Sequence, residues 1–306
     1  MSKGELSFAG KAERSISTAF RSRLWSPFIS AIKRYRLIRP GDKIAVCISG
    51  GKDSMLLAKL FQMLLRYTEV PFEAKYLVMD PGYNAKNLEK IQSNAERLEI
   101  PIEVFKTDIF DVANTFEHSP CYICARMRRG HLYHMAQELG CNKIALGHHF
   151  SDVIETTVMS MFYASQLQAM LPMLHSQNFP GMTLIRPLYL VHEDSIIAWA
   201  RSNGLDFIRC ACRFTETLEN GEGESKRKEV KELIRRLKVD NPNIEKSIFN
   251  SLHSVCIETF PGYKANGKKH SFLERLDEED ALTENPEMQQ DGNENRCENS
   301  RYANRE

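Results

Sequence analysis

Three clusters of residues in this chain could do chemistry. The first is Ser49-Gly50-Gly51-Lys52-Asp53-Ser54. Two adjacent glycines let a backbone approach phosphate oxygens closely. Lys52 adds a cation, Ser49 and Ser54 add hydroxyl donors, and Asp53 can hold Mg²⁺. The four-residue gap before the Gly-Lys pair of a Walker A loop is missing, so that family is excluded. The second cluster is Gly147-His148-His149-Phe150-Ser151-Asp152, with a further acid at Asp80 after Val78-Met79. The histidines alone are weak evidence of catalysis, because helix entry and packing explain them equally well. The third is the CxxC pair Cys121 and Cys124, with Cys210 and Cys212 some ninety residues later. A CxxC with one or two distant thiolates can hold zinc, hold an iron–sulfur cluster, or form a redox disulfide.

These clusters need elements to position them. Lys43–Ile48 is a short apolar run of the kind a buried parallel strand shows. From Ser54 to Tyr67, leucines recur at helical spacing. The phosphate-type loop therefore lies between a strand and a helix N-terminus, where free N–H groups and the helix dipole favour an anion. Further strands are expected at Glu73–Met79, Ile102–Phe105, Lys143–Leu146 and Thr183–Ile185. Helices are expected at Asn84–Leu98, Arg126–Leu139, Asp152–Phe162 and Glu193–Asn203. The CxxC falls in a loop after the third strand, preceded by Pro120, and Phe207–Ile208 reads as another strand. This β-α-β-α-β-α-β-α-β order predicts an α/β doubly wound parallel sheet, with ligand loops at the carboxyl ends of the strands. Residues 14–38 read as one or two helices leading in.

Composition bounds the rest. The chain has 306 residues, 42% of them hydrophobic, enough for one large core with small appendages. Its net charge of +1 hides an asymmetry. Residues 1–40 carry nine Lys or Arg against two acids, and residues 271–306 carry eleven acids against four Arg. The basic start has aromatics among its charges and suits either a polyanion or solvent. With no apolar run of about 18 residues and no apolar signal core, no membrane span is expected and the cytoplasm is the expected location. Eight cysteines in such a chain point to metal or catalytic use. Three parts follow: a basic helical N-terminal extension (1–40), a catalytic domain (41–263) and an acidic, disordered tail (264–306). Cys47 reads as core packing, Cys141 and Cys256 as structural (Cys256 in a late helix), and Cys297 as tail.

The loop Ser49–Ser54 resembles the pyrophosphate loop (PP-loop) of ATP pyrophosphatases with the adenine nucleotide alpha hydrolase-like fold. The resemblance implies ATP cleaved between its α and β phosphates. Gly147–Asp152 is similar to the GHHxxD segment of the tRNA-modifying branch, which commonly ends in two acids; here the first is Ser151. It implies Gly147 near the nucleotide, Asp152 near Mg²⁺ or the phosphates, and Val78 and Met79 as a backbone clamp on adenine. Together with the CxxC, the basic run Arg126-Met127-Arg128-Arg129 and a late cysteine, these motifs resemble the tRNA 2-thiocytidine synthetase (TtcA-like) family over roughly residues 30–240. That resemblance implies a [4Fe-4S] cluster on three cysteines, with one iron open to sulfur. Cys121 and Cys124 would be two ligands; the third is Cys210, with Cys212 as the alternative. It also implies tRNA as substrate, a cysteine desulfurase or free sulfide as sulfur donor, and raises a homodimer. The basic segment Ser225–Lys238 would meet RNA phosphates. A 2-thiouridine synthetase, a lysidine-type ligase, a desulfurase and a non-catalytic zinc module that binds RNA are the competing readings.

Overall fold

The computed structural model describes residues 6–113, 120–208 and 222–277. Six strands form one sheet: β1 (Lys43–Ile48), β2 (Glu73–Asp80), β3 (Ile102–Lys106), β4 (Lys143–Ala145), β5 (Met173–His175) and β6 (Thr183–Ile185), in the order β3-β2-β1-β4-β6-β5. All pairs are parallel except β5 with β6. The strand order reverses between β1 and β4, and at such a switch point the two neighbouring loops diverge and leave a crevice. The first two clusters sit there.

Alternation along β1 shows why its sequence is apolar throughout. Ile44, Val46 and Ile48 enter one core, and Ala45 and Cys47 enter a second core on the other face. The second core is covered by α6 (Pro120–Glu138) through Tyr133 and Ala136. The first is covered by α3 (Lys52–Tyr67), which buries residues around its whole circumference. A helix apolar on all sides needs cover on its outer side too. The N-terminal helices supply it: α1 (Phe8–Ser17), a five-residue π-helical turn (Arg21–Trp25) and α2 (Ser26–Arg34). Phe28 meets Phe61 edge-on, with ring centres 5.9 Å apart. Lys59, 1% exposed, reaches Glu13 Oε1 at 2.7 Å and the Leu98 carbonyl at 2.7 Å. The expected helical N-terminal extension is thus helical, and it adds Ala12, Ile16, Phe20, Leu24, Phe28 and Leu37 to this core.

Some sequence expectations change. The CxxC lies in the first turn of α6 and not in a loop, because Pro120 serves as a helix start and nothing after it breaks the helix. Phe207 and Ile208 pack on the core without joining the sheet. Cys47 and Cys141 are buried as expected, whereas Cys256 precedes a short 3₁₀ turn (Ile257–Thr259) instead of lying within a helix. The remaining helices are α4 (Ala85–Arg97), α5 (Ile109–Ala113), α7 (Phe150–Tyr163), α8 (Glu193–Ser202), α9 (Glu222–Asp240) and α10 (Ile244–Ser251).

Chain contacts divide the molecule into residues 1–245 and 246–306. In the second unit, β7 (Gly262–Ala265) and β8 (Lys268–Ser271) pair as a hairpin across the boundary drawn at 263/264. The turn is Asn266-Gly267, both with positive φ, a strong hairpin signal inside an otherwise polar stretch. Cys210, Cys212 and Cys297 lie outside the described residues. No helix among the described residues is long and apolar enough to cross a membrane.

Candidate functional site

The loop Ser49–Ser54 turns from the end of β1 into the first turn of α3. Gly50 has φ +82°, and a Cβ there would stand 2.5 Å from Ile91 and 2.7 Å from Ile208, so the position needs glycine both for its torsion and for space. The Ser54 hydroxyl donates to the Gly51 carbonyl (3.0 Å) and accepts from the Ser49 N–H (3.1 Å). It therefore closes the loop on itself, and the turn is preformed.

Gly147 follows β4 and lies against this loop. A Cβ on it would be 3.1 Å from the Ser54 nitrogen and 3.2 Å from the Asp53 carbonyl carbon. The glycine lets the two switch-point loops touch. His149 then caps α7: its Nδ1 accepts from the Asp152 N–H (3.3 Å), and Asp152 Oδ2 accepts from the His149 N–H (2.9 Å). Because Nδ1 accepts, Nε2 carries the proton of the neutral ring. Nε2 stands 3.6 Å from Asp53 Oδ1, a buried oxygen with no hydrogen-bond partner among the described residues. The histidine pair thus has a structural duty at His149, as packing alone would suggest, and also a line of contact to Asp53.

Around these loops lies a cavity of about 380 Å³. Ser49, Asp53, Ser54, Met79, Gly147, His148 and Asp152 line it together with Arg128, Arg129 and Leu132 of α6. The size suits a small-molecule site. Val78, buried in the sheet, does not line it; Met79 does. Burial and the nearby Arg186 push His148 down to about 4, so its ring is neutral near pH 7. Burial and Arg129 push Arg186 down to about 10. Arg128 and Arg129 with the acids Asp53 and Asp152 give the cavity lining both signs of charge.

Cys121 and Cys124 lie three positions apart near the start of α6. Arg128 and Leu132, one and two turns further on, reach the cavity wall, so the CxxC heads the helix that closes the site. Among the described residues no group of three or more His, Cys, Asp or Glu is placed to hold a metal ion.

Two features were missed from sequence. Lys52 Nζ bonds Asp53 Oδ2 (3.1 Å) and also Glu193 Oε1 (3.0 Å), which lies 141 positions away in the first turn of α8. No motif surrounds Glu193; only an acid in a first helical turn hinted at it. The basic helix α9 turns several of its cations inward: Arg227 toward Asp152 (3.9 Å) and Glu155 (3.6 Å), Lys231 onto Glu193, and Lys238 onto Glu245 (2.6 Å). Neither solvent nor RNA is the whole account of its charge.

The PP-loop domain family matches residues 24–213, more than half of the chain. A tRNA-cytidine(32) 2-sulfurtransferase of Citrifermentans bemidjiense is 37% identical over 229 residues, covering 74% of this chain and 87% of that protein. The enzyme of the same name from Geotalea daltonii is 36% identical over 244 residues, covering 78% and 94%. The chain belongs to the tRNA-cytidine 2-sulfurtransferase family of PP-loop proteins. The fold agrees: the U34-tRNA thiolase NcsA of Methanococcus maripaludis, solved with its [4Fe-4S] cluster, superposes with a TM-score of 0.60 at 20% identity, covering 78% of this chain and 80% of that one. At that identity the likeness speaks for the fold alone.

Proposed function

We propose that this protein replaces the C2 oxygen of a cytidine in tRNA, at position 32 as in its relatives' name, with sulfur, using ATP. The carrying observation is that the loop Ser49–Ser54 and the CxxC helix line the same cavity. The free N–H groups of the first turn of α3 and the Lys52 ammonium receive the ATP phosphates. Asp53, which lines this cavity and whose Oδ1 has no hydrogen-bond partner among the described residues, and Asp152 hold Mg²⁺. Backbone groups at Val78 and Met79, by the end of β2, hold the adenine.

The C2 oxygen of the unstacked base attacks the α-phosphorus and pyrophosphate leaves. Hydrosulfide, supplied as free sulfide or released from the persulfide of a cysteine desulfurase by a thiol reductant, attacks C2, and AMP leaves with the former C2 oxygen. AMP is a far better leaving group than an amide-like oxygen. Arg128 and Arg129 face the phosphates and the developing charge on AMP. The target base has to leave its stack to reach the cavity.

Two thiolates one helical turn apart at a helix N-terminus fit a cluster, since the dipole there favours the ionised form. Cys121 and Cys124 would hold it with Cys210 or Cys212. The chain supports that third position: Ile208, two residues before Cys210, packs against Gly50, and Asp206 is tied to α4 by Lys90 at 2.5 Å. A bound [4Fe-4S] cluster with three protein ligands supplies an iron open to sulfur.

The test is anaerobic reconstitution followed by ATP, sulfide and tRNA, with nucleosides read by mass spectrometry. 2-Thiocytidine should form, should vanish in Lys52→Ala, and should vanish in Cys124→Ser together with iron. An untouched tRNA pool in the wild type sinks the proposal, and zinc in place of iron with no ATP turnover would mark a binding module instead.

A further inference from the structure

Lys52 is held by more than its own loop. Its ammonium bonds Asp53 Oδ2 (3.1 Å) and Glu193 Oε1 (3.0 Å), and the other Glu193 oxygen takes Lys231 from α9. The Glu193 side chain is 14% exposed. Burial opposes its ionisation, but Lys231 and Lys52 outweigh burial. Its backbone N–H in turn points to the Ser151 hydroxyl at 3.4 Å.

A lysine ammonium has three N–H donors on a flexible four-carbon stem. With two of them on fixed carboxylates, the direction of the third is determined. Without Glu193, Asp53 alone would hold the group, and the stem could turn about that single contact. Glu193 is itself fixed only if its second oxygen is engaged, and that engagement comes from Lys231.

We propose that Glu193 and, through it, Lys231 are positioning residues for Lys52, so that the basic helix α9 takes part in ATP binding without touching ATP. This rests on the reading of Ser49–Ser54 as the ATP loop. The bland alternative is that Lys231–Glu193 merely pins α9 in place. The structure offers a comparison for it, because Lys238–Glu245 pins the same helix at 2.6 Å and does not touch Lys52.

The experiment is ATP·Mg²⁺ affinity by calorimetry, without tRNA, on the full chain. Glu193→Gln and Lys231→Gln should each weaken ATP roughly tenfold, and the double variant should be no weaker than either single one, as for residues acting in series. Lys231→Arg should stay within about threefold and Lys238→Gln within about twofold. If Glu193→Gln fails to fold, Lys231→Gln carries the test, since its side chain is 39% exposed. Additive losses, an equal loss in Lys238→Gln, or wild-type affinity in Lys231→Gln would overturn the inference and leave the ATP loop standing. A wild-type protein that binds no ATP would overturn both.

Discussion

Replacing Gly147 with alanine should damage both the fold and the reaction, and the size of each effect can be worked out. The added Cβ would stand 3.1 Å from the Ser54 nitrogen and 3.2 Å from the Asp53 carbonyl carbon, where ordinary contact begins near 3.4 Å. Both neighbours are backbone, so no side chain can rotate out of the way. The loops must part by about 0.3 Å. Overpacking of this kind costs about 1–3 kcal/mol in stability, depending on how the strain spreads. The displaced atoms belong to the first turn of α3, whose N–H groups receive phosphate. If a 1 Å misplacement costs about 100-fold, 0.3 Å costs about fourfold in kcat/KM for ATP. Gly147 lies outside the positive-φ positions, so torsional strain adds nothing to this figure. The assay is ATP–pyrophosphate exchange with saturating tRNA, beside urea unfolding of the same preparation. A variant that unfolds like the wild type and keeps its kcat/KM would refute the close approach as a functional feature.

Two further outcomes concern groups outside the cavity. Burial, reinforced by Asp152, pushes Glu155 up to about 7 against the opposing pull of Lys231 and Arg227, so its ionised form destabilises the native state. Glu155→Gln should therefore raise the free energy of unfolding at pH 8 by up to about 3 kcal/mol, with the gain shrinking from pH 7 down to about 4.5; a constant gain across that range would contradict the assignment. Glu13→Ala leaves the Lys59 charge buried with only neutral partners and should cost about 2–4 kcal/mol in urea unfolding. Adding Lys59→Met should recover part of that loss.

The sheet was legible because its signals are local and mutually consistent. Apolar runs at Lys43–Ile48 and Glu73–Asp80 alternate with helical spacing, and glycine loops punctuate the strand ends. The short antiparallel strand Met173–His175 was not legible, since three edge residues carry no periodicity. The start of α6 was missed for a different reason. A CxxC reads as a loop when its chemistry is considered first, while Pro120 reads as a helix start when torsions are.

The site divides along the same line. Ser49–Ser54 and Gly147–Asp152 are contiguous, so their roles can be read from spacing, and the cavity places six of their residues together. Glu193 is an ordinary acid at a helix start until folding brings α8 beside Lys52. Lys231 is one cation among many until α9 docks. What decides their function is a pair of distances across long stretches of chain, and no local pattern encodes such a distance. The same reasoning gives Ser151 a meaning that the motif alone withheld. Its hydroxyl accepts the Glu193 N–H at the start of α8, while the Glu193 carboxylate serves Lys52 on one side and Lys231 on the other.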